Sequence, residues 1–355
     1  LVLVLFHSNE NFIFGSAKVR REVGLLYRHL ISFGLLIVLF TTLFPIEKLA
    51  KEKSDEEIFS ERMELYKLFN HVYVPWYFIA AIDQYERNIQ EVRSDMPKRE
   101  GIVAIQFSNE FWVGELNPNK EDTSPISIQY FGGHGQDGNG DGIADLNQDQ
   151  DVVLTMASYL NSFGTTKKDF ELAIWTYYKN EETVRQILTI TKLYEHFQTI
   201  ALNEHYFPLP LNYPYSYQGT WGGNRGWGGK RTHEGTDLFA NYGTDVYSTS
   251  YGVVEVMGWN DYGGWRIGIR DNHNTYHYYA HLNAFHKQLK VGDVVEPGTL
   301  IGFVGSSGYG KEGTSGKFPP HLHYGMYKFN GRMEWAFDPY PHLKLWEKQT
   351  KANKQ

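Results

Sequence analysis

Two histidines stand two residues apart in the stretch FPPHLHYGMY, among aromatic and β-favouring residues. Alternate side chains of an extended strand share a face, so His321 and His323 point the same way while Leu322 points to the opposite side. Two imidazoles on one face can reach a single metal ion or a single reacting group. Taken alone, the pair is also compatible with an ordinary core or surface pair.

Two other segments offer groups of the same chemical types. The stretch THEGTD places His233 and Asp237 around a turn that Gly235 makes possible, and the stretch YYAHL carries His281. Each segment is weak evidence by itself, since a HxGxD pattern is a common turn. Together, the three segments supply five groups suited to metal binding or to proton transfer.

These residue types predict a hydrolytic zinc site. Such a site needs three protein ligands and one position left open for water. The chain contains no cysteine, so its ligands have to be histidine, carboxylate or carbonyl groups. If His233, Asp237 and His323 hold the ion, two histidines remain beside it. His321 and His281 would then act as proton carriers or as stabilisers of a developing oxyanion.

The three motifs, in this order and each next to a β run, resemble those of the lysostaphin-like, or LytM-like, zinc endopeptidases of bacterial cell walls. The likeness covers about Gly219 to Phe337 and rests on HEGTD, on YYAHL with the following VGDVVEPGTLIGFVGSSG, and on PPHLHY. It implies a small antiparallel β fold with an open groove and cleavage of a peptide bond in peptidoglycan. It also implies zinc on His233, Asp237 and His323. We assign proton transfer from water to His321, and carbonyl polarisation or oxyanion binding to His281.

One acidic residue of the helical half occupies an apolar position. The stretch VPWYFIAAIDQYERNIQ has Pro75 near a helix start, and on a helix Ile82, Glu86 and Ile89 fall on one stripe. Burial there would raise the pKa of Glu86, which is how a glycosidase keeps a general acid protonated near neutral pH. The alternative is a partly exposed Glu86 that pairs with a neighbouring arginine at the edge of the stripe.

The stretch DGNGDGIADLNQDQD repeats oxygen donors at alternate positions around Gly142, as a calcium loop does. Position twelve is Gln148, where a standard loop carries a bidentate acid, so we assign the closing carboxylate to a later residue. An ordered loop without metal is the alternative. The predicted calcium ligands are Asp137, Asn139, Asp141, the Ile143 carbonyl and Asp151.

These features, with AIQFSNEFW, DVVLTMASYLNSFG and DFELAIWTYYKN, resemble the lysozyme-like domain of lytic transglycosylases over Met63 to Phe197. The resemblance implies a domain that binds the glycan strand or cleaves it with Glu86 as acid and then base. Some members of that group carry a calcium loop closed by a later Asp. The usual Glu-Ser pair is Glu86-Arg87 here, which puts activity in question more than fold. Asp83 is the nearby candidate for a second carboxylate.

An uncharged, mostly apolar stretch runs from Leu30 to Phe44. Lysine and arginine residues precede it, so the positive-inside rule places the N-terminus in the cytoplasm and everything after Pro45 outside. We predict a single-pass membrane anchor over residues 25–45. A cleaved signal peptide and a buried core helix are the alternatives.

Composition bounds the remaining possibilities. The chain has 355 residues, of which 41% are hydrophobic and 16% aromatic, so it can bury more than one core. A net charge of −7 gives no electrostatic reason to expect a nucleic-acid partner. Helical periodicity ends near the stretch FPLPLNYPYS, and short β runs rich in glycine and aromatic residues follow it.

We therefore predict a multidomain protein with an N-terminal transmembrane helix, a mainly α lysozyme-like domain and a C-terminal antiparallel all-β metallopeptidase domain. The predicted parts are a cytoplasmic segment (1–24), an anchor (25–45), a spacer (46–62), a lysozyme-like lytic transglycosylase domain (63–202), a linker (203–218), a zinc endopeptidase domain (219–345) and a tail (346–355).

The predicted function is that of a bacterial peptidoglycan hydrolase in the cell membrane, with its catalytic domains outside and facing the wall. It would cut stem peptides or cross-bridges with zinc-activated water. A glycan-gripping module tethered to a peptide cutter would raise the local substrate concentration. The alternative is a catalytically silent wall-binding or partner-activating protein that keeps the fold.

Overall fold

The structure is a computed structural model and describes residues 53–69, 73–226 and 231–353. The predicted cytoplasmic segment (1–24) and membrane anchor (25–45) lie outside these residues. Within the three described ranges, no helix is both long and apolar enough to cross a bilayer. The anchor therefore stays a prediction from the sequence.

The described chain before residue 203 folds as a set of helices. These are α1 (Asp55–Leu68), α2 (Trp76–Val92), α3 (Asn109–Val113), α4 (Pro125–Tyr130), α5 (Asp149–Asn161), α6 (Lys167–Tyr178) and α7 (Glu181–Phe197). Local signals set several of their starts. Thr166 and Asp169 form a reciprocal capping box at α6, and the Asn180 side chain accepts a hydrogen bond from the Thr183 N–H at α7.

Helix α2 lies at the centre of this region and is buried over most of its length, with α7 packed along it. Its fully buried Asp83 accepts hydrogen bonds from Arg62, from the Tyr66 hydroxyl at 2.5 Å and from the Ala104 N–H. Arg62 belongs to the segment predicted as a spacer (46–62). That prediction is corrected, because α1 begins at Asp55 and turns one face into the core despite its many charges.

The C-terminal region is an antiparallel sheet, as predicted. Its main path runs β1-β4-β11-β8-β7-β6-β9, with β10 pairing β5 and β8, and β12 pairing β11, while β2 and β3 form a separate pair. The strands are β1 (Tyr215–Tyr217), β2 (Asn224–Arg225), β3 (Arg231–Thr232), β4 (Thr236–Ala240), β5 (Asp245–Tyr247), β6 (Gly252–Asn260), β7 (Gly264–Arg270), β8 (Thr275–Phe285), β9 (Val294–Val295), β10 (Leu300–Val304), β11 (His321–Phe329) and β12 (Glu334–Phe337).

Two segments that we predicted to lie outside the β domain are part of its core. The predicted linker (203–218) contributes β1 and the fully buried Phe207, and the predicted tail (346–355) lies largely on helix α8 (Tyr340–Ala352). The Thr350 hydroxyl accepts a hydrogen bond from the Phe207 N–H at 2.9 Å. The proline spacing suggested an exposed connection, but Phe207 and Leu209, on either side of Pro208, bury apolar area in the core of the β region.

The described residues from Asp55 onward form one compact unit, so the helical and β regions pack together. Val253 and Phe329 of the sheet join the hydrophobic core of the helices. Buried Arg270 of β7 forms ion pairs with Glu255 and Glu182, and the Glu182 partner lies on α7. The helical region is mainly α, as predicted, and its kinship with lysozyme stays a prediction.

Candidate active site

Strand pairing brings the predicted ligands together. Strands β4 and β11 are antiparallel neighbours, and their register sets His323 opposite Asp237. Directly opposite residues of an antiparallel pair present their side chains on the same face of the sheet. His233 precedes β4 by one turn, and β8 on the other side of β11 ends near the site with His281.

Three donor atoms converge at this point. The His233 Nε2 atom lies 3.0 Å from Asp237 Oδ1 and 3.0 Å from His323 Nδ1, and His323 Nδ1 lies 2.9 Å from Asp237 Oδ1. Ligands of a tetrahedral zinc ion, each about 2.0–2.2 Å from the metal, are roughly 3.4 Å apart. The donors therefore match zinc in type and nearly in spacing, and small side-chain rotations would admit the ion.

The backbone holds the ring nitrogen of His233 that points away from Asp237 and His323. Its Nδ1 donates a hydrogen bond to the Thr220 carbonyl at 2.9 Å, so the neutral ring carries its lone pair on Nε2, facing the other donors. Gly235 makes the close approach possible. A Cβ on Gly235 would lie 2.5 Å from His323 Cε1 and 2.7 Å from the Tyr324 carbonyl oxygen, so no larger residue fits without a shift.

The two other predicted histidines stand beside this trio. The His281 Nδ1 donates to the Ser307 carbonyl at 2.7 Å, and the His321 Nδ1 donates to the Pro319 carbonyl at 2.8 Å. Both rings thus keep Nε2 as the acceptor atom. The rings are 4.8 Å apart between centroids, and His321 Nε2 lies 3.7 Å from Asp237 Oδ1. Side chains placed in this way can accept and return a proton within the site.

Burial and charge set the protonation states. Burial by itself raises the pKa of Asp237, but the interactions of its carboxylate with His233 and His323 outweigh this effect and hold that pKa well below its usual range. Burial lowers the pKa of His281 well below its ordinary value, and the neighbouring His323 and His321 act in the same direction. At neutral pH the site therefore contains an ionised carboxylate and a neutral His281.

The site opens into a cavity of about 300 Å³. Aromatic side chains and two charged residues form its walls, which suits a thin peptide chain. Most of these wall residues have no local signal in the sequence. The one signal was that Arg231 and Glu234 flank His233 in the chain. The lining residues are Arg231, Thr232, His233, Glu234, Tyr262, Gly263, Tyr278, His281, Tyr309, His323 and Tyr327.

Glu86 is buried, as predicted, and lies in the helical region apart from the histidine cluster. Burial raises its pKa to about 7, although a hydrogen bond from the Tyr178 hydroxyl at 2.6 Å acts in the opposite direction. The alternative of a partly exposed Glu86 paired with arginine does not occur, because Arg87 contacts Asp83 instead. Asp83 is itself held by several donors in the core, and it is not placed as a nucleophile.

A second cavity, lined mainly by aromatic side chains, opens on the helical region. The Phe111 ring stacks on His134 with centroids 4.3 Å apart, and Tyr177 packs edge-on against Phe111. Among the described residues, Glu86 is not part of its wall, although its charge acts on the neighbouring Tyr177 hydroxyl. The lining residues are Ser108, Phe111, His134, Tyr159, Ser162, Phe163, Thr176, Tyr177 and Lys179.

The predicted calcium loop is ordered, but its acidic oxygens are directed at the backbone. The Asp151 carboxylate accepts hydrogen bonds from the N–H groups of Gly138, Asn139 and Asp145, and Asp137 accepts bonds from Gly140, Asp141 and Gly142 in the same way. In the described part of the chain, the only grouping of three acidic or histidine side chains that could hold an ion is His233, Asp237 and His323. Calcium binding by Asp137, Asn139, Asp141, Ile143 and Asp151 is not supported.

Comparison with known proteins relates this chain to a family of peptidases. Residues 231–339 match peptidase family M23. The L-Ala--D-Glu endopeptidase of Bacillus subtilis (strain 168) is 53% identical over 316 residues, which cover 88% of this chain and 97% of that protein. Lysostaphin of Staphylococcus simulans is 38% identical over 114 residues, or 32% of this chain and 21% of that protein. The glycyl-glycine endopeptidase ALE-1 of Staphylococcus capitis is 39% identical over 114 residues, or 32% of this chain and 29% of that protein.

The LytM-like resemblance of the β region is thus confirmed, while the transglycosylase resemblance of the helical region stays a prediction. The Bacillus subtilis relative is aligned along nearly its whole length, over more residues than the β region contains. The relationship therefore extends into the helices. The chain belongs to peptidase family M23.

Proposed function

We propose that this chain is a zinc-dependent peptidoglycan endopeptidase that cleaves the bond between L-Ala and D-Glu in the stem peptide. The observation that carries the proposal is the convergence of His233 Nε2, Asp237 Oδ1 and His323 Nδ1 within hydrogen-bond distance of one another. The bond is proposed from the name of the Bacillus subtilis relative, which is aligned over 97% of its length.

Each residue of the site has a distinct chemical role in the proposed reaction. His233, Asp237 and His323 would hold zinc, which when bound lowers the pKa of water to about 7 and polarises a carbonyl oxygen. His321 accepts a proton at Nε2 as water adds to the scissile carbonyl carbon. His281, which is neutral in the free enzyme, would take up a proton from solvent at Nε2, donate a hydrogen bond from that atom to the carbonyl oxygen, and return the proton to solvent when the products leave.

Completion of the reaction requires the C–N bond to break. The proton taken up by His321 passes to the departing nitrogen, which leaves as the amine of D-Glu. The second proton of water stays on the new carboxyl group of L-Ala and is then released to solvent, which leaves a carboxylate. The carbonyl groups of Pro319 and Ser307 keep the two imidazole rings in the orientation that this transfer needs. No side-chain nucleophile is required.

Purified full-length protein with defined muropeptides tests the proposal. We expect zinc-dependent release of fragments whose new amino terminus is D-Glu, identified by mass spectrometry. A chelator should stop the release, and added zinc should restore it. If zinc-loaded protein produces no new amino termini, the chain is instead the silent wall-binding or partner-activating protein that the same fold would also allow.

We also propose that the helical region binds the glycan strand of the same polymer. Sugar rings pack well on exposed aromatic faces, and the cavity beside Phe111, His134 and Tyr177 offers several such faces together with hydroxyl groups. Binding is favoured over cleavage because Glu86 is buried behind Tyr178.

Cosedimentation with peptide-free glycan strands tests binding, and Tyr177→Ala should weaken it. Anhydro sugar ends that disappear in Glu86→Gln would establish transglycosylase activity instead.

The proposed location is the outer side of the bacterial cell membrane, facing the wall. This proposal rests on the apolar stretch from Leu30 to Phe44 and on the basic residues before it. Protease treatment of intact cells stripped of their wall tests it. The C-terminal domain should be degraded, and a fragment that contains the anchor should stay with the membrane.

A further inference from the structure

One cation in the catalytic cavity has no acidic partner among the residues that the structure describes. Arg231 of β3 lines the same cavity as His233, His281 and His323. Its guanidinium carbon lies 4.3 Å from the centre of the Tyr262 ring and 5.3 Å from that of Tyr309. The charge is thus held in place by aromatic faces at the wall of the cavity.

Part of the hydrogen-bonding capacity of the Arg231 guanidinium is unfilled. The Arg231 Nε atom is buried and has no hydrogen-bond partner, and Arg231 forms no ion pair with any residue that the structure describes. Other arginines of the protein do pair. Arg62 contacts Asp83, Arg99 contacts Asp149, and Arg270 contacts Glu334. A guanidinium that is partly removed from water and lacks an internal anion is ready to bind one from outside.

Among the described residues of this cavity wall, Glu234 is the acidic one, and it does not pair with Arg231. The Glu234 side chain is exposed. Burial is the main cause of the raised pKa of Tyr327, and the charge of Glu234 acts in the same direction. The charge of Arg231 acts instead on the Tyr278 hydroxyl, where it opposes the effect of burial. The cavity therefore presents a cation available for a ligand.

The proposed substrate contains a matching anion. When the amine of a glutamyl residue is part of the scissile bond, that residue has two carboxyl groups, and only one of them can continue the peptide chain. The other is free and lies a few bonds from the scissile nitrogen. A glycyl-glycine bond, the kind named for the ALE-1 relative, has no charge at this place.

We infer that Arg231 binds the free carboxylate of the glutamyl residue at the scissile bond and thereby makes the enzyme selective for acidic substrates. The inference rests on the proposed endopeptidase function. The planar guanidinium can donate two parallel hydrogen bonds to a carboxylate, which a neutral amide cannot accept in the same way. Arg231 is thus a specificity-determining residue of the cavity.

The test compares two synthetic stem peptides that differ at one group. One contains L-Ala-D-Glu with its free carboxylate, and in the other that carboxylate is an amide. We expect wild-type, zinc-loaded protein to cleave the acid with a kcat/KM about 10- to 100-fold above that of the amide, since a hydrogen bond to a charged group contributes that much. Arg231→Gln should lose this preference, because its kcat/KM on the acid falls toward its own value on the amide, and Arg231→Lys should keep part of the preference.

Arg332→Gln is the matched control, because Arg332 is an exposed arginine in the turn after β11. Zinc content is measured for every variant, since Arg231 lies two residues from His233. Equal wild-type rates on the two peptides would overturn the inference and leave the proposed function standing. A rate that falls equally on both peptides in Arg231→Gln, with zinc retained, would also overturn it. If the wild type cleaves neither peptide, the proposed function fails first.

Discussion

The histidine cluster of the sheet and Glu86 of the central helix are both buried, both titratable and both predicted to be functional. They differ in what their polar atoms face. In the cluster, His233, His281 and His321 each donate from Nδ1 to a backbone carbonyl and direct Nε2 inward to a shared space that opens into a cavity. Glu86 has its carboxylate closed off by the Tyr178 hydroxyl.

This difference distinguishes the buried polar groups of a ligand site from those of a well-packed core. A buried polar group that is anchored on its outer side and open on its inner side is arranged for a ligand. A buried polar group satisfied by one neighbour follows the general rule for protein interiors. Burial and a raised or lowered pKa occur in both regions, so they do not distinguish the two.

The largest effect on activity is expected from the loss of a proposed zinc ligand. Asp237→Asn keeps the shape of the side chain but removes the charge that faces both histidines. We expect zinc content to fall from about one ion per chain to nearly none, and endopeptidase activity to fall at least about 100-fold. Elemental analysis and release of amino termini measure the two quantities.

Asp271→Asn is the control for this variant. Asp271 is also buried in the β region and also contacts a histidine, with its Oδ2 atom 3.0 Å from His277 Nε2, but it lies outside the cavity. We expect it to retain zinc. Retention of zinc by Asp237→Asn would show that convergence of donors does not mark the metal site.

The next effect separates proton transfer from metal binding. His321→Gln and His281→Gln should each lower kcat by about 10²- to 10⁴-fold while zinc content stays at the wild-type value. The half-buried His286, which lies at a different cavity, provides the control substitution His286→Gln. Loss of zinc from either variant would assign that histidine to the metal instead.

A smaller effect is expected from the glycine beneath the cluster. In Gly235→Ala the added methyl group would press on the His323 ring and displace its Nδ1 donor atom. We expect zinc affinity to fall about 10- to 100-fold, as it does when groups that orient a ligand are lost. Gly226→Ala is the control, because a Cβ there meets no atom within 4 Å. Equal zinc affinity in the two variants would contradict the expected crowding.

The smallest effect concerns stability at Glu86. Its folded-state pKa of about 7 lies above the ordinary value of 4.5, so the charged form is disfavoured in the folded protein. Stability is therefore lost as the pH rises from about 4.5 through 7, by at most about 3 kcal/mol. Glu86→Gln removes this titration and should be more stable than wild type at pH 8 but not at pH 4. Urea denaturation at the two pH values measures the difference.

Tyr85→Phe serves as a reference for that experiment, because Tyr85 is a buried neighbour on the same helix whose hydroxyl contacts Thr183 instead of Glu86. It should change stability by the same amount at both pH values. If Glu86→Gln also shows no dependence on pH, the carboxyl group is not held in its neutral form.

Several elements could be predicted because their signals are local. The alternation of His321, Leu322 and His323 on a strand, and the turn around Gly235, depend only on neighbouring residues. The buried position of Glu86 followed from helical spacing. The linker and tail predictions were wrong for the opposite reason, since Phe207 and Trp346 find their partners far away in the chain.

Residue types and local spacing are enough to identify the five chemical groups of the cluster, their order and the type of element that carries each one. The tertiary structure alone decided that Asp237 and His323 face each other across two strands and that three backbone carbonyls orient the rings. It also decided that Arg231 lies in the cavity without an acidic partner in the described part of the chain, while the Asp151 carboxylate faces backbone N–H groups. Residue types are properties of single positions, whereas register, carbonyl direction and the pairing of charges depend on contacts between segments distant in the chain.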